Sequence, residues 1–306
     1  MRLTKQLTSP KGFLLYNLRE MIKNRRSYLF ILPSMILFSI FIFIPVLWTI
    51  YVSFFNWKFR GGSTFIGLNN YIKLWSDSIF LGALQNTINF TISITVLSVI
   101  FGFIAALLVN DLRGLAKYFV RAAIFIPTGT SLVVTALIWR SFLEPGGIVQ
   151  SGLEKIGIVT SPWLSNPSLS FLAVILVSAW QRIGYNMVFF LAGLQTIPQV
   201  FYEAAEVDGA SRFAKFRSIT IPLLQRTTLF VLVINTIFTF LMFDQVFMMT
   251  GGGPADATIN AMIEIYNQAF TYLHYGYAAA MAVAFSLITF AVAGIQMYLL
   301  RSEAEY

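Results

Sequence analysis

Few side chains in this sequence are equipped to make or break bonds. There is no cysteine and a single histidine, His274, which removes thiolate nucleophiles, disulfides and multi-histidine metal sites together. The thirteen carboxylates include no close pair inside an apolar run that would serve as acid and base. Gly251-Gly252-Gly253-Pro254 is glycine-rich, but no Gly-Lys-Ser/Thr follows to cradle a nucleotide phosphate, so a turn is expected there. Enzymatic chemistry, and any cofactor or metal on this chain, is therefore not expected. What remains is polar recognition within apolar surroundings. Ser178, Gln181, Arg182 and Tyr185 recur at helical spacing, and Phe238, Thr239, Met242 and Gln245 form a second such face with Asp244 beside them. Aromatic faces suit the apolar faces of sugar rings, while amides and hydroxyls suit their OH groups. Polar residues in such places also glue helices together, and both roles stay open. Arg182 is costly in mid-run. It pairs with Asp244, favours an anionic substrate such as a uronate oligosaccharide or a glycerol phosphate, or lies nearer the outer end than the run suggests.

A different kind of recognition is written into residues 197–222. Pro198 and the good helix formers after it predict a short helix, Gly209 and Ser211 a tight turn, and a second helix begins near Ala210–Arg212. Glu203, Glu206 and Asp208 cluster at one end; Arg212, Lys215 and Arg217 cluster at the other. Ala204, Ala205 and Gly209 are small enough for another surface to approach the backbone. A merely solvated loop would not need Val200, Phe201, Val207, Phe213 and Phe216. The segment is expected to dock a soluble partner.

The elements that must position these groups are membrane spans. The chain is 57% hydrophobic and 11% charged, with a mean hydropathy of +0.74, against roughly 25% charged residues in soluble domains. Apolar runs at residues 28–55, 87–109, 119–142, 169–194, 227–249 and 276–300 each reach the roughly 20 residues that cross a bilayer core. None alternates like a strand, so six transmembrane helices in an all-α membrane protein are expected. With the N-terminus inside, the cytoplasmic segments hold most of the Lys and Arg, and the opposite side only Lys58, Arg60, Lys73, Arg140 and Lys155. That bias predicts N-in, C-in topology. Residues 1–27 form a basic cytoplasmic tail, 28–301 one membrane domain and 302–306 a short cytoplasmic tail. No cleavable leader is expected, because the first run is too long for one. Trp57 and Trp75 in the external loop 56–86 suit the headgroup level. The chain is read as having no nucleic-acid partner.

Glu203-Ala204-Ala205, then Gly209, Ile219 and Ile221-Pro222, resemble the EAA loop of ATP-binding-cassette (ABC) importer permeases. The family's usual ending is Leu-Pro, and Ile221 replaces that Leu. Asp208-Gly209-Ala210 is similar to the sugar-permease version. Phe65–Tyr71 (FIGLNNY), Phe243-Asp244 through Thr250-Gly251-Gly252-Gly253-Pro254, and Gly276-Tyr277-Ala278-Ala279-Ala280 resemble further segments of the binding-protein-dependent sugar permeases, in the right order. The resemblance implies a type I (MetI-like) permease fold. It implies that residues 199–213 form a coupling helix seated in a cytoplasmic ATPase, through Tyr202, Glu203, Ala204, Ala205, Asp208, Gly209, Ala210 and Phe213. ATP and Mg would act on that partner, in two copies, beside a second permease in a heterodimer and an external binding protein delivering an oligosaccharide. By resemblance to the maltodextrin permease, Thr128 and Leu132 join Ser178, Gln181, Arg182, Tyr185, Phe238, Thr239, Met242, Asp244 and Gln245 along the substrate pathway. The match there is one of positions, not identities. An ion-coupled secondary transporter is the rival class, with Asp244 as its one candidate carboxylate; a transport-free membrane scaffold is a weaker third.

Overall fold

The long apolar runs can satisfy their backbone groups in lipid only as helices, and helices dominate the computed structural model. It describes residues 25–58, 62–157 and 161–299; the N-terminal tail and the 302–306 tail lie outside them. Helices α1 (Arg25–Phe38) and α2 (Ile44–Val52) form the first span, joined by a wide π-type turn at Ser39–Phe43. A small hairpin, β1 (Phe55–Trp57) against β2 (Ser63–Phe65), and α3 (Asn69–Leu74) follow. Next come α4 (Ser78–Asp111), α5 (Gly114–Gly129), α6 (Leu132–Leu143), α7 (Ile148–Lys155) and α8 (Pro167–Gln195). The polar segment holds α9 (Gln199–Val207), α10 (Arg212–Lys215) and α11 (Ile221–Leu223), and leads into α12 (Gln225–Phe240). Helices α13 (Asp244–Met249), α14 (Ala261–Tyr266) and α15 (Tyr275–Leu299) complete the described chain.

Among the described residues, five helical stretches are long and apolar enough to span, and a sixth arises if α10–α11 and α12, bent by 59°, count as one. Two expected spans differ from the sequence reading. The run 119–142 breaks at Thr130–Ser131, both extended, between α5 and α6. Pro127 removes a backbone donor one turn from the break, and the Thr130 hydroxyl caps the Pro127 carbonyl at 2.7 Å. The run 227–249 breaks after Phe240, and a buried carbonyl left open at the break is answered from a distant residue: Asn260 Nδ2 donates to the Met242 carbonyl at 2.6 Å. The hairpin was expected only as loop. It is held by Asn70, whose side chain donates to the Ser53 and Phe55 carbonyls at 2.8 and 3.1 Å.

Prolines shape two helices in the same way. The π-type turns Ser39–Phe43 and Phe216–Thr220 each end two residues before a proline, Pro45 and Pro222. Widening the turn makes room for the ring that would otherwise strike the carbonyl four residues back.

The core is the crossing of α4 with α8. A Cβ on Gly102 would lie 2.5 Å from Asn186 Cβ, and one on Gly184 2.4 Å from the Ile124 carbonyl, so only glycine permits these approaches. Ala106, Met187, Phe190 and Leu191 fill this contact, and Phe90, Ile94 and Val174 fill its other half. The segments that charge bias places outside meet at one end: Tyr277 donates to Asp77 at 2.5 Å, and Asn86 Nδ2 donates to the Ile259 carbonyl at 2.9 Å. Residues 197–223 lie at the opposite end of α8 and α12.

Candidate functional site

The polar segment folds as a rigid helix–turn–helix. Helix α9 stops at Val207 and α10 starts at Arg212, as the turn residues suggested, so the stretch 199–213 implied as the coupling helix holds α9, the turn and the start of α10. Gly209 causes the stop: its φ of +74° is the left-handed conformation that glycine enters without penalty. The turn closes with Gly209 N–H on the Glu206 carbonyl at 3.1 Å and Ala210 N–H on that of Ala205 at 2.8 Å. Ser211 Oγ then caps α10 through the Ala214 N–H at 3.2 Å. Tyr202 OH meets Thr220 Oγ1 at 3.0 Å and Lys215 meets Glu206 at 3.4 Å, tying the two helices together.

This frame presents hydrophobic side chains to the outside. Val207 is 89% and Phe213 70% exposed, with Val200 and Phe201 beside them. Glu203, Ala204, Asp208 and Gly209 are exposed too, while Tyr202, Ala205 and Ala210 are half-buried as the base of the platform. A Cβ on Gly209 would meet open space within the chain. The segment leaves apolar, acidic and small residues exposed side by side.

The expected pathway residues divide into two groups. Ser178, Gln181, Thr239, Met242 and Gln245 are buried within the chain. Ser178 Oγ donates to Met242 Sδ at 3.6 Å, and the Thr239 hydroxyl donates to its own helix at Asn235. Gln181 Nε2 reaches the Thr130 carbonyl at 3.3 Å, while Thr128 Oγ1 donates to the Gln181 carbonyl at 2.8 Å, so these residues stitch the α5–α6 break to α8. Arg182, Tyr185, Thr128 and Asp244 are half-buried, and Phe238 and Leu132 are exposed. The Arg182 guanidinium carbon stands 5.5 Å from the Phe238 ring centroid. Among the described residues Arg182 has no carboxylate partner, and the pair with Asp244 does not form. The break at Leu241–Phe243 is the reason: Asp244 opens a new helix and does not continue the face that carries Phe238.

Sequence reasoning missed the amide pair behind this seam. Asn235 Nδ2 donates to Asn186 Oδ1 at 2.7 Å and to the Val231 carbonyl at 2.8 Å, with both residues buried. Each is an amide within an apolar run, and that was the available signal. Also missed was Glu264, buried at 2% exposure and held by Gln268 Nε2 at 2.8 Å. Burial pushes its carboxyl above the usual carboxylate range, an effect the Gln268 hydrogen bond partly offsets.

Residues 98–303 match the family described as binding-protein-dependent transport system inner membrane component. The chain belongs to that family. It is 33% identical over 282 residues to the lactose transport system permease protein LacF of Rhizobium radiobacter, covering 90% of this chain and 94% of that one. It is 34% identical over 283 residues to the sn-glycerol-3-phosphate transport system permease protein UgpA of Agrobacterium fabrum, covering 91% and 96%. In fold it is similar to a bacterial alginate ABC transporter solved in complex with an alginate pentasaccharide-bound periplasmic protein. The TM-score is 0.82 at 22% identity, over 92% of this chain and 96% of that one. This permease is a multi-pass, non-catalytic transport subunit of an ABC importer with the MetI-like fold.

Proposed function

We propose that this permease moves an oligosaccharide across a bacterial or archaeal plasma membrane and is driven by two copies of a separate ATPase docked on α9 and its turn. The observation that carries this is the braced platform with Val207 and Phe213 left in the open. A seat transmits force only if it is stiff, and Tyr202–Thr220 and the Gly209 turn make it so. ATP and Mg belong to that partner. A second, homologous permease completes the channel as a heterodimer, and an external binding protein delivers the substrate. The lactose and alginate systems among the similar proteins support a saccharide.

Arg182 favours a second reading of the substrate within the same class. A half-buried guanidinium without a carboxylate, beside the aromatic Phe238, suits an anionic group on a sugar or a glycerol phosphate. The glycerol-3-phosphate and alginate systems among the similar proteins fit that chemistry. Arg182→Gln is expected to reduce uptake of an anionic oligosaccharide selectively; equal loss for its neutral counterpart leaves Arg182 a structural role.

Uptake into vesicles that hold the assembled importer tests the class. Transport should require internal ATP and survive collapse of the ion gradients. Uptake that persists without ATP and stops with the gradient would replace the importer by an ion-coupled transporter.

A further inference from the structure

Two lysines and a histidine at the outer end of the molecule have no role in the transport cycle described above. Lys58, Lys73 and His274 surround a cup of about 330 Å3, together with Trp57, Asn69 and Tyr277. Lys58 and His274 face each other across an antiparallel backbone bridge. Lys73 Nζ stands 3.9 Å from the centre of the Tyr277 ring. Among the described residues no carboxylate lines the cup. The nearest in sequence, Asp77, is spent elsewhere: Oδ1 accepts the Ile79 and Phe80 N–H groups and Oδ2 the Tyr277 hydroxyl. Among the described residues neither lysine has an ion-pair partner. His274 Nδ1 meets Gln268 Oε1 at 3.0 Å, which fixes the ring at the rim.

The depth of the cup is set by the span below it. Helix α2 ends at Val52, and the cup begins with Asn56 in the strand that follows. Trp48, Tyr51, Phe55 and Trp57 cluster there, with Trp48 and Trp57 in edge contact at 5.8 Å. Such a ring cluster marks the headgroup level. A separate apolar groove of about 400 Å3 lies between the first span and α15, lined by Phe41, Pro45 and Thr49 on one side and Val283, Leu287 and Phe290 on the other. At 100° per residue, Gly276 of the cup shares one face of α15 with Val283, Leu287 and Phe290.

We propose that cup and groove together hold one anionic phospholipid of the outer leaflet. Its phosphate sits among Lys58, Lys73 and His274, and one acyl chain lies along the groove. Lys58 and Lys73 supply the charge, His274 and Asn69 supply polar contacts for the headgroup, and Trp57 walls the glycerol region. The inference rests on the multi-pass insertion of the chain and not on the identity of the transported substrate.

The test is native mass spectrometry of the assembled importer, purified in detergent and exposed to phosphatidylglycerol or phosphatidylcholine in mixed micelles. Phosphatidylglycerol should be retained in preference to phosphatidylcholine. Lys58→Gln with Lys73→Gln, both at exposed positions, should cut its retention about fivefold with phosphatidylcholine unchanged and the melting temperature held. Leu287→Trp, which fills the groove, should reduce retention of both lipids. Equal phosphatidylglycerol retention in the double variant overturns the proposal. Displacement of the lipid by millimolar inorganic phosphate, with Leu287→Trp without effect, overturns it in favour of a free-phosphate site. Loss of binding-protein docking in the double variant, with lipid retention intact, overturns it in favour of an acidic protein edge.

Discussion

Residues 199–223 and residues 250–264 are both glycine-punctuated polar stretches between apolar helices, and they treat their hydrophobic side chains in opposite ways. The first leaves Val200, Phe201, Val207 and Phe213 exposed, whereas the second buries Ile259, Ala261 and Ile263. The second also buries its polar groups in pairs. Thr258 Oγ1 donates to the Gly253 carbonyl at 2.8 Å, and the Ala261 N–H donates to Thr87 Oγ1 at 3.0 Å. One stretch is a platform left open, where the proposed ATPase would dock; the other is a plug whose partner is the chain itself. Polarity and glycine content do not separate them. What separates them is whether the buried hydrogen bonds close inside the chain.

The largest effect should come from breaking the platform at its turn. Gly209→Asp places a side chain in open space at a φ of +74°, which Asp tolerates better than most residues. The turn should therefore survive while bulk and charge enter the docking surface beside Glu206 and Asp208. Uptake and co-purification of the ATPase should fall by at least about tenfold, about 1.4 kcal/mol of docking, with membrane insertion intact. Gly209→Asn, of equal size but neutral, separates bulk from charge: a milder loss assigns most of the effect to the added carboxylate. Unchanged uptake in Gly209→Asp would sink the platform assignment.

The plug should fail differently. Asn260→Ala removes the donor to the Met242 carbonyl at 2.6 Å and the acceptor that caps α14 through the Ile263 N–H at 3.0 Å. Two buried backbone groups lose partners, one at the α12–α13 break and one in the first turn of α14, costing about 2–3 kcal/mol. A clearly lower melting temperature is expected, with ATPase co-purification per folded molecule unchanged. A variant that melts like wild type would mean that the break is held by something other than Asn260. Glu264→Gln should act on the same stretch more gently. Burial raises the Glu264 carboxyl above its ordinary 4.5, so the folded chain holds that proton more tightly than the unfolded one. Stability from this group is thus greatest below that ordinary value and is lost as pH rises through the raised one. Gln keeps an acceptor for Gln268 and removes the titration. Its melting temperature should vary less than that of wild type between about pH 4 and 8; an unaltered profile would mean that Glu264 does not contribute to it.

The difference between platform and plug also explains what the sequence made legible. The helix–turn–helix could be anticipated because its signals are local: Pro198 at the entry, Gly209 at the stop, Ser211 as the cap. The polar face of Ser178, Gln181, Arg182 and Tyr185 could be seen on α8 because one unbroken helix carries it. The face expected on residues 238–245 could not be trusted, because the chain breaks after Phe240. That break is supported by Asn260, a residue well outside any local window. The break at Thr130–Ser131 depends likewise on Gln181 and Thr128 across a helix interface. Arg182 on α8 could be offered Asp244 as one partner only while α12 was taken to run on through Asp244. Periodicity reports what one helix does, and it is silent where a distant amide lets a helix stop.

The smallest effect should be at Lys215, and it probes how far the platform extends. Lys215 meets Glu206 at 3.4 Å, with the glutamate side chain 76% exposed, so the pair is worth no more than about 0.5 kcal/mol in solvent. The brace that stiffens the segment lies instead in Tyr202–Thr220, the Ser211 cap and the Gly209 turn, none of which involves Lys215. Lys215→Gln should therefore leave the melting temperature unchanged and uptake within about twofold, the equivalent of about 0.4 kcal/mol. The informative result is a split. If uptake collapses while the melting temperature holds, Lys215 contacts the ATPase directly. The docking surface then includes α10 as well as α9, and Phe213 on α10 becomes its apolar centre.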